Sequence, residues 1–134
     1  MKKKEAKKQP ITTREAAFEK MGLTYDPEQI TAMFALVPEE YRLFMRMTYQ
    51  RAVCMAAHND GVVLKAANTE QYKHYPWYWV EEKEGGSGVA LSLYDVSYVS
   101  AHAGVAPRLA IADEGRCREY VENFKDLEEE YFSA

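Results

Sequence analysis

Three histidines, two cysteines, a glycine-rich turn and a scatter of carboxylates are the residues of this chain whose types could do chemistry. His58, His74 and His102 belong to no recognised zinc-ligand pattern, so no metal site is indicated. His58 and Asp60 can approach one another at a helix end, but one such pair defines no site. A Cys–His nucleophile needs an accessible thiolate. Cys54 and Cys117 both fall on apolar helix faces, where thiols stay protonated and inert. Gly86-Ser87-Gly88 lacks the five-residue spacing of a nucleophile elbow. Gly85-Gly86-Ser87-Gly88 lacks the Lys-Ser/Thr of a phosphate loop and runs from strand to strand, so it reads as a hairpin turn. Glu81, Glu82, Glu84 and Glu128, Glu129, Glu130 read as solvated faces. No constellation supports an enzyme, and no cofactor is implied.

What remains is a surface that could bind. Tyr72-Lys73-His74-Tyr75-Pro76-Trp77-Tyr78-Trp79-Val80 holds both tryptophans of the chain and three of its ten tyrosines. Aromatic rings bury more area than other side chains, so such a cluster seeds a core or an interface. Trp77 and Trp79 are two apart and share one face of a strand, with Tyr78 and Val80 on the other. Packing of the tryptophan face into the core is the plainer reading. A sheet of this size nonetheless cannot bury both faces, so Tyr75, Trp77, Tyr78 and Tyr94 are expected to leave an aromatic patch for a protein partner or a second copy. The alternative partner is nucleic acid. Bases stack on exposed rings beside cations, and Lys2, Lys3, Lys4, Lys7 and Lys8 of the tail with Lys73 and His74 would supply the charge. The acidic Glu81, Glu82 and Glu84 that follow would repel phosphate.

The elements that must hold this strand are legible from punctuation and periodicity. Residues 1–10 lack apolar periodicity and read as a disordered basic tail; residues 11–134 read as a single α+β domain. Thr12-Thr13-Arg14-Glu15 reads as a capping box with Thr12 as cap, opening a short helix with Ala16, Ala17, Phe18 and Met21 inward and Gly22 at its stop. Asp26-Pro27 starts a second helix over 28–36. A long helix over 38–58 carries Leu43, Phe44, Met47, Cys54 and Met55 as an apolar stripe, read as core rather than as a methionine-lined groove. An antiparallel meander of about three strands follows, over 75–83, 89–99 and 108–112. Asp113 then caps one amphipathic helix over 114–131 with Cys117, Tyr120, Val121, Phe124, Leu127 and Tyr131 on its apolar face. Leu43, Phe44, Met47, Leu91, Leu93, Leu109, Ile111, Val121 and Phe124 are the expected core.

The net charge of −4 spread over 134 residues gives no global pull toward nucleic acid. No apolar run approaches the 18 residues of a membrane span, so no membrane is expected, and no apolar stretch follows the basic start as in a secretory signal. Two cysteines far apart make no disulfide framework and fit a reducing compartment.

Tyr72-Lys73-x-Tyr75-Pro76-Trp77-Tyr78 resembles the Lys-Tyr-Tyr-Pro-Trp-Phe segment of a family of small uncharacterised bacteriophage and prophage proteins of gut anaerobes. Three further stretches are similar in the same order: Thr13 to Leu23, Val37-Pro38-Glu39-Glu40 with its helix to Asn59-Asp60-Gly61, and Arg108-Leu109 through Tyr131. Val62-Val63-Leu64-Lys65 departs from the family's Trp-Lys-Pro-Asp-Trp-type connector, so no role of that connector carries over. The resemblance implies a phage or mobile-element origin, a location in the host cytoplasm or the virion, and no activity. The resulting expectation is a non-enzymatic accessory protein acting by protein–protein interaction, in virion assembly or interference with a host process. The alternative is a nucleic-acid-associated accessory protein.

Overall fold

The computed structural model describes residues 9–134, so the tail lysines Lys2, Lys3, Lys4, Lys7 and Lys8 lie outside the described residues. The first helix, α1 (Arg14–Lys20), starts one residue later than the sequence reading has it. Thr13, not Thr12, is the last extended residue, and its Oγ1 accepts from the Ala16 amide at 3.1 Å. Gly22, at φ 75°, closes the helix, with the Leu23 amide donating to the Phe18 carbonyl at 2.8 Å and the Gly22 amide to Glu19 at 2.9 Å. Only Ala17 and Phe18 of this helix turn fully inward; Ala16 and Met21 are exposed. In α2 (Pro27–Met33) the Asp26 carboxylate accepts from the Glu28 and Gln29 amides, and Pro27 supplies the preset φ of the first turn. The long helix α3 (Glu39–Ala57) ends before Asn59-Asp60-Gly61, where Asp60 and Gly61 both take positive φ.

Two strands form the sheet. β1 (Lys73–Glu82) and β2 (Val89–Val99) pair antiparallel through a turn at Glu84–Gly86. The expected third strand over 108–112 does not form. Pro107 opens a 3₁₀ turn through Leu109, and only Ile111 reaches the ribbon, exchanging two backbone hydrogen bonds with His74 at 2.8 and 2.9 Å. The fold is α+β with a two-stranded ribbon rather than a three-stranded meander.

The last helix is two. Asp113 caps α4 (Glu114–Asn123) through the Arg116 amide, the chain bends at Phe124, and α5 (Lys125–Ser133) continues. No proline or glycine marks the bend. The apolar stripe runs across it, with Cys117, Tyr120, Val121, Phe124 and Leu127 all buried.

The core gathers Phe18, Ile30, Met47, Met55, Val96, Ile111, Tyr120 and Phe124 among others. Leu91 and Val121 are buried as expected, whereas Leu109 is half-buried and Leu93 stays 37% exposed. Leu43 and Phe44 are exposed, against expectation. The reason is where the ribbon goes: it packs on α4 and α5 and leaves the first two turns of α3 uncovered, so Phe44 stays 41% exposed beside the tilted ring of Tyr131. Among the described residues no helix is long and apolar enough to cross a membrane.

Candidate functional site

The outward face of the ribbon is built by a β-bulge. Trp77 pairs with Asp95 and Tyr78 with Leu93, which leaves Tyr94 as an extra residue on β2. The extra residue shifts the alternation of β2, so Leu91 and Val96, five apart, both point into the core. It also pushes Tyr94 outward against Trp79, with ring centroids 5.2 Å apart and planes near perpendicular. Trp77 is 53% exposed, Trp79 64% and Tyr94 64%; Tyr75 is half-buried with its ring 6.2 Å from that of Trp77. The tryptophan face is therefore the solvent face, which overturns its assignment to the core.

Tyr78 does not belong to the patch. It points inward, and its phenol donates to Glu128 Oε2 at 3.0 Å. Glu128 is fully buried, which corrects its reading as a solvated residue. Its two oxygens accept from Arg51 Nε at 2.8 Å, from Arg51 Nη2 at 3.0 Å and from the phenols of Tyr78 and Tyr120. The Arg51 guanidinium also stacks 4.4 Å from the Tyr131 ring centroid. Burial and the neighbouring carboxylate push both phenols well above the usual tyrosine range. This network ties α3, β1, α4 and α5 together, and through Tyr78 it fixes which face of β1 looks out.

The two cations proposed for nucleic acid beside the tryptophans are also turned in. Lys73 is 2% exposed, and its Nζ donates to the carbonyls of Asn68 at 2.7 Å and Ser100 at 3.2 Å. His74 is half-buried, its Nδ1 3.2 Å from the Ile111 carbonyl and its ring beside the Tyr72–Tyr98 ring pair. The charges nearest the patch are acidic: Glu81, on the tryptophan face of β1, is exposed, and Asp95, opposite Trp77, is held by Arg118 at 3.0 Å. The Val96 amide and Arg118 hold the Asp95 carboxyl below its ordinary range.

Of the histidines and cysteines, Cys54, Cys117 and His58 are built into the core, His74 is half-buried and His102 is exposed. Burial pushes the thiols of Cys54 and Cys117 up to about 12. His58 donates from Nδ1 to the Cys54 carbonyl at 2.7 Å. Its Nε2 is buried with no hydrogen bond; the Glu119 carboxylate at 3.7 Å is near enough for an ion pair, not for a hydrogen bond. Asp60 pairs with Arg116 at 2.8 Å and Lys20 at 2.5 Å, and these cations hold its carboxyl far below the usual range.

No protein-family model, no curated protein and no solved structure matches the chain.

Proposed function

We propose that this chain is a non-enzymatic accessory protein of a bacteriophage or mobile element that binds another protein through the Trp77–Trp79–Tyr94 face. The exposure of those three rings on one side of a ribbon carries the reading, since a lone soluble chain gains nothing from it. The resemblance around Tyr75-Pro76-Trp77 supports the phage origin, and with it a place in the host cytoplasm or the virion. The acidic residues beside the rings favour a partner segment with basic charge. A second copy of the chain would have to bring its own Glu81 and Asp95 against these, which disfavours self-association through this face. Nucleic acid is disfavoured for the same charge, and because Lys73 and His74 are occupied inside.

A photo-crosslinking residue at Trp79, introduced into the full chain in its producing cells, tests the proposal. One discrete protein adduct is expected, absent when the same residue stands at exposed Glu122 on α4. Equal adducts from both positions, or none from Trp79, would refute it. A mobility shift with oligonucleotides at low salt that depends on Trp77 and Trp79 would return the choice to nucleic acid.

A further inference from the structure

A cavity of about 650 Å³ lies between the end of α1, the second half of α3, the 61–64 connector and the turn at Pro107–Leu109. Small-molecule sites occupy roughly 300–1,000 Å³, with apolar walls and a few polar groups that orient the ligand. This cavity has that make-up. Ala52 and Ala56 of α3 keep its floor low, and Met21, Leu23, Val62 and Val63 stand around it, each more than two-fifths exposed. No carboxylate lines it, and the Asn59 amide is committed to the backbone of Ala110 and Ala112. Two cations do line it. Lys20 is held by Asp60. Arg108 is exposed and enters no ion pair among the described residues; Arg42 and Arg46 enter none either but do not line the cavity, and Arg14, Arg51, Arg116 and Arg118 each hold a carboxylate.

We propose that this cavity binds a small amphipathic carboxylate, its hydrocarbon part against Ala52, Ala56, Val62 and Val63 and its carboxylate on the Arg108 guanidinium. A fork of N–H donors with no carboxylate partner among the described residues selects for a planar anion, and the apolar walls select for a chain rather than a sugar or phosphate. The site is separate from the aromatic ribbon and does not depend on what that ribbon binds.

Titration of the isotope-labelled full chain with decanoate below its micelle concentration, followed by amide NMR, tests this. Decanol and decyltrimethylammonium serve as equal-length neutral and cationic probes. Decanoate should move the amides of Ala56, Val62 and Val63 saturably and bind about tenfold more tightly than decanol, the worth of one charge-assisted contact. Arg108→Gln, at an exposed position, should remove that tenfold advantage and leave decanol unchanged. Ala56→Leu should fill the floor and weaken both. The proposal fails if decanol or the cation binds as well as decanoate, if Arg108→Gln changes nothing, or if the shifts fall elsewhere. Should Ala56→Leu not fold, the three probes and Arg108→Gln decide alone.

Discussion

Glu128→Gln removes one charge from the centre of the molecule and leaves everything else in place. Glu128 is fully buried, and the Arg51 side chain opposite is 7% exposed. Four donors converge on the two carboxylate oxygens: two N–H groups of Arg51 and the phenols of Tyr78 and Tyr120. Glutamine keeps one oxygen to accept them and turns the other into an NH₂ that faces donors. The guanidinium then has no counter-charge in a site that is nearly closed to solvent. Removing one partner of a buried pair costs about 3–5 kcal/mol, against about 0–1 kcal/mol for an exposed surface pair. A loss of that size is a large share of the roughly 5–15 kcal/mol that holds a domain together.

Arg51→Met should cost a similar amount, and it also removes the guanidinium from the Tyr131 ring. Replacing both residues with apolar side chains, as Arg51→Met with Glu128→Leu, should cost clearly less than the separate Arg51→Met and Glu128→Leu losses added, because no charge is left buried, while the Tyr78 and Tyr120 phenols lose their acceptor in the Glu128→Leu single and in the double alike. Urea unfolding followed by far-ultraviolet circular dichroism is the assay. Tryptophan fluorescence is a poor reporter here, since Trp77 and Trp79 already face water. A Glu128→Gln loss below about 1 kcal/mol would place the pair in the surface class and refute the reasoning. So would additive single losses in the double variant.

Lys73→Met should destabilise by about 1–3 kcal/mol, because the carbonyls of Asn68 and Ser100 lose the ammonium that caps them; urea midpoints measure it. Trp77→Ser and Trp79→Ser should each lower stability by no more than about 1.5 kcal/mol, the worth of one aromatic pair, in the same assay; a loss of several kcal/mol would mean that these rings pack in solution. His58 gives a pH signature. Burial lowers its pKa in the folded chain, against the opposing pull of the Cys54 carbonyl and Glu119 and with help from Arg116 and Lys20. The unfolded chain, with a histidine near pKa 6.5, takes up the proton first as pH falls. Stability should therefore be level with respect to His58 above about pH 6.5 and decline below it, by at most about 1.4 kcal/mol per pH unit, until the folded histidine protonates. His58→Gln should flatten this part of the profile between pH 7 and 5, and an unchanged slope would dismiss His58 as its source.

What the sequence discloses about this fold follows from how local the cause is. The stops and starts at Gly22, Asp26-Pro27, Asn59-Asp60-Gly61 and Asp113 are decided within a few residues by φ preference and by an oxygen placed to accept an open amide, so they are readable. The face of the ribbon that points to solvent has no local cause. Alternation shows that Trp77 and Trp79 share a side, and only the tertiary partner of Tyr78 decides which side it is. That partner was itself readable in one respect. Arg51 sits between Met47 and Cys54, and Glu128 between Phe124 and Tyr131, at helical spacing on otherwise apolar stripes. A charge on a stripe that is bound for the core needs an opposite charge from another element, since leaving either one unpaired costs more than a domain of this size readily tolerates. One cation on the stripe of α3 and one anion on the stripe of the last helix therefore call for each other, and their pairing places α3 against α5. Tyr78 follows from the same requirement. A buried carboxylate has lone pairs beyond those that one guanidinium fills, and the phenol on β1 supplies a donor while its ring stays in the core. With Tyr78 drawn in to Glu128, its strand neighbours Trp77 and Trp79 have only the outside left, so the exposed aromatic face is a consequence of the buried ion pair.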